Sequence, residues 1–173
     1  SAVEQLIINS GADDDQLIFD AEVLSSSFNL GIGDDKVEIQ DFSGTIKGGP
    51  GKDSIINSTT RTIKDSLVRG EAGNDRFTFS NITNSIINAN SDDDYISASG
   101  AISNSQLYGG RQKDTITVEN ATESLIRGDA NEDKITINGD ITGTIINGNA
   151  DNDQLVVNSA NIQSSTVFGG QGD

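Results

Sequence analysis

The sequence predicts an all-β chain wound as a right-handed parallel β-helix or β-roll, about eight coils of roughly 20 residues each. Three observations carry that expectation. A Gly-rich hexamer closing in Asp recurs at a nearly constant interval. Apolar and polar residues alternate after each hexamer, and helical spacing is nowhere sustained.

The clearest hexamer is Gly48-Gly49-Pro50-Gly51-Lys52-Asp53, followed by Ser54-Ile55. Its Gly-Lys pair invites comparison with a phosphate-binding loop. Asp53, however, stands where that loop needs Ser or Thr for magnesium, and a carboxylate there repels a triphosphate. The other copies are SGADDDQL, closing at Asp15, LGIGDDKV at Asp35, GEAGNDRF at Asp75 and ANSDDDYI at Asp94. GGRQKDTI follows at Asp114, GDANEDKI at Asp133 and GNADNDQL at Asp153. Successive Asp residues lie 20, 18, 22, 19, 20, 19 and 20 positions apart, so residues 1–173 form a single repeat array without linker or second domain. The final GGQGD starts a ninth hexamer and the first residue is not Met, so the chain is expected to be a piece of a longer protein.

Each unit supplies strands in a fixed order. Two residues after the Asp stands Leu17, Val37, Ile55, Phe77, Ile96, Ile116, Ile135 or Leu155. Two further on stands Phe19, Ile39, Asn57, Phe79, Ala98, Val118, Ile137 or Val157, the period of a half-buried strand. A second column, Ile8, Phe28, Ile46, Val68, Ile87, Leu107, Ile126, Ile146 and Val167, precedes the loops. Between them runs a third, Val23, Ile63, Ile82, Ile102, Ala121, Ile141 and Ile162. A small-residue column, Ser66, Ser85, Ser105, Ser124, Thr144 and Ser165, is read as filling a tight corner and bonding to its neighbours. One such unit cannot bury its own apolar face, so the units must stack.

Composition narrows the chemistry. Without Cys or His, the chain has no disulfides, no thiolate metal sites and none of the usual zinc ligands. The net charge of −16, from 27 acidic and 11 basic residues, argues against nucleic acid and anionic membranes as partners. No apolar run reaches the length of a membrane helix, and no membrane insertion is expected. Catalysis is not expected either. Nothing interrupts the repeat to build a groove, and Arg61, Lys64 and Arg69 come closest to a basic cluster. Position two of the loops runs Gly11, Gly31, Gly49, Glu71, Asn90, Gly110, Asp129 and Asn149, which is no flat Thr ladder for ice.

Stacking turns the eight Asp residues into a column with rungs about 5 Å apart. Carboxylates at that separation repel by about 1 kcal/mol in water and several times more at a protein surface, unless cations lie between them. Carboxylates with main-chain carbonyls make an all-oxygen, flexible donor set, which suits calcium better than magnesium or zinc. The metal-free alternative is a solvated row of Asx-type turns.

The loops resemble the hemolysin-type calcium-binding repeat of the repeats-in-toxin family, G-G-x-G-x-D-x-U-x, with U a large aliphatic residue. Residues 48–55 match every fixed position, and residues 70–77 miss only the second Gly. The resemblance implies several Ca2+ ions in one column, each between adjacent loops. The Asp at 15, 35, 53, 75, 94, 114, 133 and 153 would supply carboxylates. One ion would take Asp35 and Asp53 with the carbonyls of Gly31, Gly33, Gly48 and Pro50. The next would take Asp53 and Asp75 with those of Gly49, Gly51, Gly70 and Ala72. Asp14, Asp34 and Asp93, at position five, are expected to face water.

Two departures qualify that transfer. Each nonapeptide is followed by about eleven residues without the loop signature. One calcium column is therefore expected along one edge and a plain polar turn along the other. Position four, normally Gly, becomes Asp13, Asp92, Gln112, Asn131 or Asp151. Asn and Asp tolerate left-handed backbone better than Gln. With Arg111 and Lys113 beside Gln112, the gaps around Asp114 are expected to bind weakly or stay empty. The resulting expectation is a calcium-stabilised rod in a secreted or cell-surface bacterial protein of surface-layer, motility or adhesin type. Its partners would be calcium and neighbouring copies or other surface proteins. The alternatives are a calcium-dependent folding and secretion appendage of an exported toxin or hydrolase, and a viral or filament fibre segment.

Overall fold

The computed structural model describes residues 1–57, 60–158 and 161–172. These residues hold 22 strands and no helix, joined in one parallel sheet that winds as a solenoid of about eight turns. Each strand pairs with its counterpart one turn later. Tyr95–Ser103 lies on Thr115–Thr122, with Tyr95 beside Thr115 and Ser103 beside Thr122. A turn has three short faces, as in Lys134–Ile137, Ile141–Thr142 and Ile145–Ala150.

The apolar columns stack as their periodicity requires. Phe77, Ile96, Ile116 and Ile135 are register partners in series, and so are Ile87, Leu107, Ile126 and Ile146. All eight are buried. The third column includes Phe42, between Val23 and Ile63, a member that the short 18-residue interval hides in the sequence. Phe42 stacks toward Phe28 at 5.4 Å, and Phe28 toward Phe19 at 5.2 Å. Asn57 sits buried in an otherwise apolar column. Its Nδ2 donates to the Gln40 carbonyl and its Oδ1 accepts from the Ser80 N–H, so both polar atoms are satisfied.

Each inward side chain touches only its own turn and the two beside it, so a core defect is local. Ile116→Ala removes a fully buried side chain clamped between Ile96 and Ile135. It is expected to cost about 2–5 kcal/mol, read as a lower denaturant midpoint.

The corner away from the Gly-rich loops is closed by hydroxyls. Ser85 Oγ accepts the Ser66 N–H at 3.1 Å and donates to the Thr83 carbonyl of its own turn at 2.7 Å. Ser105 and Ser124 repeat the pattern, and Ser26 belongs to the same column. A hydroxyl both gives and accepts, so this ladder satisfies itself. At the third corner, Asp41, Asn81 and Asn120 each accept a main-chain N–H of the next turn. The expected polar turn therefore exists, built from Ser and Asx side chains.

Candidate metal centre

The Gly-rich loops share one backbone shape. Position four is left-handed not only at Gly51 and Gly73 but at Asp92, Gln112, Asn131 and Asp151, with φ between 72° and 81° for these four. Gln112 thus adopts the loop conformation, and its side chain bonds back to Asp92 through both Oε1 and Nε2. Position two is left-handed as well, at Glu71, Asn90, Asp129 and Asn149 among others. The run of Gly, Asn and Asp at that position carried the signal. Glycine is required at Gly49 and Gly51, where a Cβ would fall 1.9 Å and 1.8 Å from the carbonyl oxygens of Gly31 and Gly33 in the turn before.

The eight repeat Asp residues do come together in one column, but inside the loops rather than on the surface. Asp35, Asp53, Asp75, Asp94, Asp114 and Asp133 are only 1–3% exposed. Each Oδ1 accepts the main-chain N–H of the Asp one turn earlier. Asp53 takes that of Asp35 at 3.0 Å, Asp75 that of Asp53 at 2.8 Å, and Asp94 that of Asp75 at 2.7 Å. The series runs unbroken from Asp15 to Asp153.

The other oxygen is different. Oδ2 of Asp15, Asp35, Asp53, Asp75, Asp94, Asp114, Asp133 and Asp153 is buried and finds no donor among the described residues. A serine in such a ladder completes itself with its own proton, whereas an ionised carboxylate has none to give. An unsatisfied buried acceptor costs about 1–3 kcal/mol, and more when charged. Each Oδ2 therefore calls for a proton or a cation.

The surroundings favour an oxygen-bound guest. Gly48, Gly70, Gly109, Gly128 and Gly148 open five of the loops, and a Cβ on any of them would fall 2.0–2.4 Å from the Oδ2 of its own loop's Asp. The same Cβ on Gly48 would lie 2.7 Å from the Gly70 carbonyl oxygen, and on Gly70 2.7 Å from that of Ala89. The missing side chain thus leaves a cradle that the Asp Oδ2 fills, beside a next-turn carbonyl oxygen at Gly48, Gly70, Gly109 and Gly148. Among the other carbonyls implied by the resemblance, Pro50 accepts the Gly33 N–H and Ala72 the Gly51 N–H, which ties successive loops together. Among the described residues, no group of three or more Asp, Glu, His or Cys side chains could hold an ion. An ion in this column would therefore need main-chain, hydroxyl or water oxygen beside the carboxylates.

Burial raises the carboxyl pKa values, the backbone N–H at Oδ1 opposes the rise, and neighbouring carboxylates add to it. Asp53, Asp94 and Asp133 are pushed up to about 7, and Asp75 and Asp114 to about 8. Position five behaves as expected. Asp14, Asp34 and Asp93 are exposed, and their Oδ1 atoms accept main-chain N–H groups of the next turn. Several basic residues, in the loops and at the third corner, have outward partners. Lys113 pairs with Glu132 at 2.5 Å, Arg61 with Asp41 at 3.0 Å, and Arg76 lies over the Tyr95 ring. Compared with known proteins, the chain matches no family model, no curated protein and no solved structure.

Proposed function

We propose that this chain is a calcium-binding structural rod, a repeat segment of a large secreted or cell-surface bacterial protein of surface-layer, motility or adhesin type. One observation carries the reading. A column of eight buried carboxylate oxygens finds no donor among the described residues, and five of them lie beside a position-one glycine. Calcium would be held by carboxylates of the repeat Asp column and loop carbonyls, and would supply the positive charge that the buried column lacks. All-oxygen sites of mixed carboxylate and carbonyl character select calcium over zinc, and their flexibility selects it over magnesium. The role is mechanical rather than catalytic.

Extracellular calcium modules bind at about 10⁻⁴–10⁻³ M, so such a rod stays loose at low calcium and stiffens outside the cell. The test is a calcium titration followed by far-UV circular dichroism and thermal melting, with magnesium in parallel. The expected result is a calcium-dependent gain in β-signal and midpoint that magnesium does not reproduce. Equal gains with magnesium, or none with either ion, overturn the reading.

A further inference from the structure

The loops are not equivalent in the space around the orphaned oxygen. Three of the eight carry a side chain at position one, where the others carry glycine: Ser10, Leu30 and Ala89. Leu30 and Ala89 are fully buried, so their side chains occupy the interior beneath the loop. At Gly48, Gly70, Gly109 and Gly148 that direction is where Oδ2 and the next turn's carbonyl oxygen meet, and at Gly128 it is where Asp133 Oδ2 lies. From this contrast we infer that Leu30 and Ala89 are plugs: calcium enters the cradles of Asp53, Asp75, Asp114, Asp133 and Asp153, and the loops of Asp35 and Asp94 carry no ion of their own. This inference rests on the calcium reading above.

Carbon at position one takes the place that Oδ2 fills on the glycine loops, and a methyl or isobutyl group has no lone pair to offer in return. The backbone of the plugged loops is otherwise unchanged. Asp94 still accepts the Asp75 N–H at 2.7 Å, and the Ala89 carbonyl still stands at the Gly70 cradle, one turn earlier. Ala89 thus serves the ion below it with its main chain while closing the space above with its side chain. Ser10 also has a Cβ at that place, but its Oγ carries lone pairs and is buried without a hydrogen-bond partner among the described residues, so the Asp15 loop stands outside the assignment.

The column is thereby split into two blocks. Asp53 and Asp75 form one, Asp114, Asp133 and Asp153 the other, and Asp94 is the spacer between them. The Asp114 loop belongs to the open set despite its basic neighbours. Gly109 leaves its cradle clear, with a Cβ there falling 2.4 Å from Asp114 Oδ2, and Lys113 is turned outward to Glu132.

The test counts ions. Calcium bound to the whole chain is measured by equilibrium dialysis with elemental analysis, for the native sequence and for two variants. Ala89→Gly opens a plugged cradle and is expected to bind one more ion than the native chain. Gly128→Ala places a methyl 2.2 Å from Asp133 Oδ2, at a residue whose backbone is not left-handed, and is expected to bind one fewer. Circular dichroism at saturating calcium verifies that both variants keep the native β-signal. Identical counts in the native chain and a folded Ala89→Gly overturn the plug assignment and leave the calcium reading standing. A native chain that binds no calcium overturns the calcium reading itself.

Discussion

In the presence of a chelator, the rod's melting temperature is expected to fall steadily between about pH 5 and pH 9, by ten degrees or more. Most proteins with paired carboxylates do the opposite over the acidic part of that range. Asp53, Asp94 and Asp133 hold their protons up to about pH 7 in the folded chain, and Asp75 and Asp114 up to about pH 8, against 3.8 for an ordinary Asp. The folded state therefore binds more protons than the unfolded state between those limits. The stabilisation is fully present below about pH 4 and is lost as the pH climbs through 7 to 8. Calcium bound as proposed would compete for the same oxygens, so its benefit is expected to be largest at the alkaline end and to vanish toward the acidic end. Thermal melts across pH, with chelator and with millimolar calcium, give two curves that converge in acid and separate in base. A chelated midpoint that rises with pH contradicts this account of the column.

Replacing Asp75 or Asp114 by Asn is expected to change sign with calcium. The amide keeps an oxygen for the N–H of Asp53 or Asp94, which the carboxylate accepts at 2.8 and 2.9 Å. It also brings two N–H donors to a place where the native Oδ2 has no donor, with the Ala89 or Gly128 carbonyl close by. Without metal at about pH 8, each change should stabilise the fold by about 2 kcal/mol, a rise of roughly 4–8 °C. At saturating calcium the same variant lacks an anionic ligand and should melt below the native chain. Combining both substitutions should flatten the pH dependence in chelator, which separates the buried column from the general relief of a −16 surface on acidification. Stabilisation of equal size with and without calcium would show that no ion uses these carboxylates.

Strand register was legible because solenoid periodicity is written directly into the chain. Ile96, Ile116 and Ile135 stand in the same place of their units, and they are partners in the structure. Phe42 escaped because the interval from Asp35 to Asp53 is two residues short of 20, and the register shifts between Val23 and Ser26 to absorb part of the loss. The depth of the Asp column was not legible. Equal spacing says that like residues stack, but not whether they stack facing water or facing inward. Gly48 and Gly70 leave room for the carboxylate of Asp53 and Asp75 to fold beneath its own loop, yet Asp35 and Asp94, with Leu30 and Ala89 at position one, are buried as well, so no single residue type announces the depth. The left-handed residues at position two were visible in composition, yet Glu71 there breaks the Gly, Asn and Asp pattern.

Because each turn is held only by the turns directly beside it, a pull along the long axis loads the chain one winding at a time. Each winding that lets go frees about 20 residues, some 66–72 Å of extended chain, while the windings behind it stay intact. A molecule built this way yields length in steps under tension and rewinds when slack, like line paid out from a reel.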